Sequence, residues 1–135
     1  MSQKKYPELK MYSKLTKSEI YKLKRIAKPL LLDMYERKCY YCGIEEKEFT
    51  DVWKKPIYKR GTRTRLEIEH KDGNLNGHLN WELENLVLAC PICNIAKSDQ
   101  LSEEEFRKIG KVIRKIWQQR KSQWCEMEES RRLKR

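Results

Sequence analysis

Apolar positions recur at helical spacing towards both ends of the chain and at strand spacing in its middle. Thr16-Lys-Ser-Glu19 is a capping box, in which a hydroxyl and a carboxylate satisfy each other's orphan backbone N–H groups. Ile20, Leu23, Ile26 and Ala27 follow at turn intervals, which predicts a helix. Pro29 lacks an N–H and crowds the preceding turn, so an end or kink is expected there. Leu30, Leu31, Met34 and Tyr35 resume the pattern as far as Arg37. Residues 44–52 read as a short helix or turn. Leu66, Ile68 and His70 alternate as one face of a strand, and Leu86-Val-Leu-Ala89 is a short apolar strand. Between them, Asp72-Gly73 and Asn76-Gly77 mark a polar loop that Trp81 and Leu83 pin to the core. Pro91 stands where a helix begins, continued by Ile92, Ile95 and Ala96. Ser102-Glu-Glu-Glu105 is a second capping box. Behind it, Phe106, Ile109, Val112, Ile113, Ile116 and Trp117 form an apolar stripe, the pattern of a helix packed on a core. The tail from Arg131 to Arg135 is expected to fray.

The chain has 135 residues, which fits one domain. Within it the pattern separates a basic helical extension (1–38), a central core (39–100) and a C-terminal helix packed on that core (101–135). A chain of this size buries only ~65–70% of its unfolded surface. This one is also 38% charged, with a mean hydropathy of −0.94. Its core is therefore small, and a bound metal would carry a large share of its stability. The formal net charge is +11, which favours a polyanionic partner, nucleic acid first. Lys14, Lys17, Lys22, Lys24, Arg25 and Lys28 make the N-terminal region basic, either as a solvated face or as a phosphate-contacting arm. The segment from Trp53 to Arg65 is basic as well. Its Lys59, Arg60, Arg63 and Arg65 are candidate DNA contacts.

Four of the five cysteines form two pairs, Cys39-Tyr-Tyr-Cys42 and Cys90-Pro-Ile-Cys93, and Cys125 stands alone on the last helix. The N-terminal Met-Ser-Gln-Lys-Lys has no apolar run, so neither a secretory signal nor a membrane span is expected and the reading is cytoplasmic. In a reducing compartment paired thiols bind metal more often than they form disulfides. The two pairs are thus four candidate ligands of a structural zinc ion; two redox dithiols are the competing reading. A four-cysteine shell leaves zinc no open position, so its role would be placement, not chemistry. Cys93 is bonded to Asn94, and an ion there fixes the start of the helix that carries this amide.

Between and after the cysteine pairs come Glu69-His70, Asn85-Leu86, Asn94 and Lys97. In this order the stretch from Cys39 to Lys97 resembles the HNH endonucleases, a family with a ββα-metal core. The resemblance implies an α+β fold, a small ββα core with structural zinc, flanked here by N- and C-terminal helices. It implies metal-dependent hydrolysis of DNA phosphodiesters to 5′-phosphate and 3′-hydroxyl ends. His70 would be the general base, Glu69 and Asn94 the ligands of a catalytic Mg²⁺ or Mn²⁺, Asn85 the residue that orients His70, and Lys97 a phosphate contact. An unperturbed histidine has a pKa of about 6.5, so its neutral form is available to take a proton from water. Carboxylate and amide oxygens are hard donors that suit Mg²⁺ or Mn²⁺. The chain departs from the family where Glu69 stands for a more frequent Asp and Asn94 for a more frequent His. Glu67, two residues before Glu69, is placed to assist the metal, though strand alternation does not decide it. The alternative is a zinc-stabilised nucleic-acid-binding module without catalysis, which has no need of the Glu69/His70/Asn85/Asn94 set.

Overall fold

The first capping box closes as the sequence predicts: the Thr16 hydroxyl accepts from the Glu19 N–H and the Glu19 carboxylate from the Thr16 N–H, each at 3.1 Å. The helix it starts, α1 (Lys17–Met34), is unbroken across Pro29. The expected break does not occur because Pro29 is exposed, where water can take the carbonyl that a missing N–H leaves over. Leu23, Ala27 and Leu31, on both sides of it, are buried. Leu23 and Leu31 together contribute roughly 3–6 kcal/mol, against about 3 kcal/mol for a proline inside a helix. The computed structural model describes residues 6–10, 14–53, 65–72, 79–98 and 100–134 of the chain.

Glu36 and Arg37, both in the left-handed region (φ 54° and 56°), turn the chain out of α1. A bridge between Lys38 and Glu45 then frames a tight turn around Cys39 and Cys42. Within it the Gly43 N–H donates to the Cys39 carbonyl and the Cys39 N–H to the Ile44 carbonyl, both at 2.9 Å. Gly43 takes φ +75°, a conformation in which a side chain is strained. A 3₁₀ turn (Glu46–Glu48) and a single helical turn, α2 (Phe49–Val52), follow.

Strands β1 (Glu67–His70) and β2 (Leu86–Ala89) pair antiparallel, with Glu67 opposite Ala89 and His70 opposite Leu86. All four residues of β2 are fully buried. Helix α3 (Pro91–Lys97) starts directly after it, with Cys90 as its N-cap. The observed order of strand, loop, strand and helix is the small ββα core of an α+β fold. On β1 the buried residue is Glu69, while Ile68 and His70 are only half-buried, the reverse of the alternation expected.

The second capping box starts α4 (Glu103–Leu133), 31 residues long, or about 46 Å at 1.5 Å per residue. It stays helical to Leu133, beyond the point where fraying was expected. Only part of its apolar stripe is core. Phe106, Ile113 and Trp117 are buried together with Gly110, whereas Ile109, Val112 and Ile116 are 38%, 56% and 39% exposed. The cysteine turn sets this face. The Trp117 indole N–H donates to the Cys42 carbonyl at 2.9 Å, Arg114 Nε donates to the same oxygen at 3.0 Å, and the Tyr41 main chain lies against Gly110. Further along, Lys121 pairs with Glu48. Among the described residues no helix is long and apolar enough to cross a membrane.

The contact at Gly110 gives a test in which two effects have opposite signs. Helix propensity alone favours Gly→Ala by about 1 kcal/mol. A Cβ at Gly110, however, would meet the Tyr41 carbonyl oxygen at 2.6 Å, and main chain cannot swing aside. Gly110→Ala is expected to destabilise the protein by about 1–3 kcal/mol, read as a lowered melting temperature. Val112→Ala, on the exposed face, should change stability by no more than about 0.5 kcal/mol. A Gly110→Ala variant that melts at or above the parent temperature would refute this docking of α4.

Candidate active site

The first cysteine pair comes from the turn after α1 and the second from the junction of β2 and α3, so four sulfurs from distant sequence meet inside the core. All four residues are buried, and their Sγ atoms lie within 4.8 Å of one another. Cys42 Sγ and Cys90 Sγ are 3.7 Å apart. Metal–thiolate bonds of about 2.3 Å at tetrahedral angles place sulfurs about 3.8 Å apart, so the cluster has the size of a closed four-thiolate site. Burial opposes charge on the Cys39 thiol, yet hydrogen bonds from Cys42, Cys90 and Cys93 outweigh it and hold Cys39 well below the usual thiol range. Hydrogen bonding with Cys39 pushes Cys90 and Cys93 upward. Four thiolates this close together in the core would repel one another, and a cation is what would make them tolerable there. The Cys93 N–H points at Cys90 Sγ at 3.5 Å, the arrangement of a metal-binding turn.

From this cluster α3 runs beside β1. Glu67 and Glu69 share a face of the strand, and Asn94 and Lys97, one turn apart on α3, stand opposite them. Asn94 Nδ2 donates to Glu67 Oε1 at 2.8 Å. Lys97 Nζ donates to the His70 carbonyl at 3.1 Å and lies 3.9 Å from Glu69 Oε1. Glu69 Oε1 also accepts from the His70 N–H at 3.0 Å. Glu69 is 8% exposed and Lys97 1%. Burial, and next the charge of Glu69, push the neighbouring Tyr41 hydroxyl up.

At the end of the strand the His70 ring meets the Trp81 ring edge-on, with centroids 4.4 Å apart. This contact fixes the plane of the imidazole by packing. The far side of the arrangement belongs to α1 and the N-terminal segment: Lys24 Nζ lies 5.8 Å from the Trp81 ring centroid, and the Tyr6 hydroxyl donates to the Trp81 carbonyl. Burial, then the charge of Glu84, raise the Tyr6 phenol to about 12, so it stays a donor. Asn85, 7% exposed, hydrogen-bonds the main chain. Its Oδ1 accepts from the Asp72 N–H at 3.1 Å and its Nδ2 donates to the Asn80 carbonyl at 2.9 Å. It thereby ties Asp72, just past the end of β1, to Asn80, next to Trp81.

The structure therefore joins Asn94 to Glu67, and Glu69 to Lys97 and the His70 main chain. Lys97 is a correction to the sequence reading. A phosphate contact must reach solvent, and this ammonium is enclosed, neutralising a buried carboxylate. Arg65 is exposed just ahead of β1, while Lys59, Arg60 and Arg63 lie outside the described residues, as does His78. One contributor went unrecognised: Trp81 was read only as a core anchor, because nothing in sequence aims it at residue 70. Glu67, which the sequence left open, is the carboxylate that meets Asn94.

Residues 39–100 match the family model described as HNH endonuclease. No curated protein is similar enough to count as a match. A solved structure of the rare-cutting HNH restriction endonuclease PacI is similar over 64% of this chain at 33% identity, with a TM-score of 0.53. The shared part spans 57% of that chain. The motif order, the ββα core and the cysteine cluster agree with both comparisons, and residues 39–100 are the part of this chain that is similar to the HNH endonucleases.

Proposed function

We propose that the chain is a metal-dependent DNA endonuclease or nickase, with His70 as general base and Glu69 and Asn94 as ligands of a catalytic Mg²⁺ or Mn²⁺. Glu67 joins them as a further carboxylate. The observation that carries this reading is the contact between Glu67, on the strand that ends in His70, and Asn94, the residue of α3 directly after Cys93 of the cysteine cluster. Its donors are carboxylate and amide oxygens, the set that Mg²⁺ or Mn²⁺ takes and zinc favours less. The four cysteines offer the soft, closed set, which suits structural zinc.

The bound ion would supply charge neutralisation at a phosphate oxygen and at the departing oxygen. The chain's own residues do the rest. His70, held in plane by Trp81, takes a proton from water. The water oxygen forms a bond to phosphorus as the bond to the 3′ oxygen breaks. The 3′ oxygen is protonated from solvent, leaving 5′-phosphate and 3′-hydroxyl ends. Lys97 would balance the charge of Glu69 inside the core, and Asn85 would hold Asp72 against Asn80.

Supercoiled plasmid with Mg²⁺ or Mn²⁺ should be nicked or linearised by the purified protein. His70→Ala should slow this by about 10²–10⁴-fold while DNA binding persists. Intact plasmid with every divalent ion tried would leave the zinc-stabilised binding module as the reading. Glu67→Gln should raise the Mg²⁺ concentration for half-maximal cleavage by about tenfold, and an unchanged titration would remove Glu67 from the site.

The cysteine cluster is tested separately. Elemental analysis should find one zinc per chain, and Cys93→Ser should lose it. Breaking a closed site forfeits several kcal/mol, so the melting temperature should fall by more than ~10 °C. Full stability without the metal would show that the thiols pack as ordinary core.

A further inference from the structure

A groove of about 700 Å³ lies between α1 and β1. One wall is α1, presenting Tyr21, Lys24, Arg25 and Lys28; the other carries Glu67 and Asn94. Helix α1 thus has two faces with different work. Leu23, Ala27 and Leu31 face the core, while the adjoining face puts cations across from the candidate metal ligands. These cations differ among themselves. Lys28 is half-buried and donates to the Leu66 carbonyl, and burial lowers its pKa, so it fastens α1 to the start of β1. Lys24 and Arg25 are exposed. Tyr21 is 63% exposed, with the Arg25 guanidinium 5.9 Å from its ring centroid. An open aromatic face flanked by cations is a platform on which a nucleobase stacks while the backbone is held electrostatically.

We infer that α1, which lies outside the segment matching the family model, is the second wall of the substrate cleft. A DNA strand would lie in the groove between α1 and the wall of Glu67 and Asn94, with Lys24 and Arg25 on its phosphates and Tyr21 against a base. The inference rests on the nuclease reading for the identity of the polyanion, and its fit is one of charge. The wall facing Glu67 and Asn94 is cationic, so the phosphate backbone is drawn to the groove without a cation displacing the metal. Lys24 also lies over Trp81, whose ring edge meets His70, so the same helix touches both the strand path and the packing of the base.

The test measures binding apart from cleavage. Full-length protein and a fluorescein-labelled 20-base-pair duplex are titrated by anisotropy, without added divalent ions, across a range of salt. The Lys24→Ala/Arg25→Ala variant should raise the apparent Kd at least tenfold at low salt. The log–log salt slope should become shallower by about 0.9 for each lost phosphate contact. Tyr21→Ala should weaken binding with the slope unchanged. Lys108→Ala/Lys111→Ala on α4 removes the same charge and should leave Kd within about twofold; melting curves check that each variant is folded. An unchanged slope in the α1 variant, or an equal loss in the α4 variant, overturns the inference. If the wild type cuts plasmid and the α1 slope is unchanged, this groove assignment fails alone. If the slope changes but no divalent ion supports cutting, the nuclease reading fails and the binding groove stands.

Discussion

Four buried sulfurs within 4.8 Å of one another decide where everything else in this molecule sits. Two arrive on a turn that follows α1 and two on the junction of β2 and α3, so their meeting closes a loop of chain from residue 42 to residue 90. A contact of that span costs closure entropy that ordinary packing in so polar a chain would struggle to offset. Electrostatics point the same way, since four thiolates packed this closely in the core repel one another and a cation held among them would offset that repulsion. Once the cluster is closed, Cys90 caps α3, and Asn94 and Lys97 are delivered along β1 without further choice.

The long helix α4 is the counterpart on the outside. It reads the cysteine turn through its main chain: one carbonyl, Cys42, takes both the Trp117 and the Arg114 N–H, and the Tyr41 backbone packs on the single position of the helix with no side chain. These contacts specify geometry more than they add energy, since each neutral hydrogen bond nets only about 1 kcal/mol. They hold the turn rigid, and through the Tyr40 N–H, which donates to the Leu88 carbonyl at 2.8 Å, the turn is tied to β2.

What could be read from the sequence was whatever depends on neighbours in the chain. Thr16/Glu19 and Ser102/Glu105 announced two helix starts because a capping box is satisfied within four residues. Cysteine spacing and the order of Glu69, His70, Asn85 and Asn94 announced the core. What could not be read depends on partners brought from elsewhere. Pro29 continues a helix because tertiary burial on both sides outweighs one missing bond. Gly110, without apolar signal, lies at the centre of the buried face of α4, and so half of the stripe around Ile109 and Val112 is turned outward. Lys97 looked like a surface cation until α3 was set against Glu69. The direct partner of Asn94 was legible only as a possibility, because strand alternation puts Glu67 and Glu69 on one face and cannot say which lies nearer.

The distribution of charge around β1 follows from having to accommodate opposite signs in one small volume. Two carboxylates are useful to a cation only if they stay ionised, and one of them, Glu69, is buried. Lys97 answers this from inside, where it is too enclosed to compete for an outside anion. Lys28 is likewise engaged with the backbone. Lys24 and Arg25, by contrast, are exposed on α1, across the groove from Glu67 and Asn94. Moving either of them onto β1 or α3 would pair it with Glu67 and weaken both functions. If the proposed reading holds, placing the cations of α1 and the carboxylate of β1 on opposite walls of one groove lets both charge patterns meet one substrate without neutralising each other.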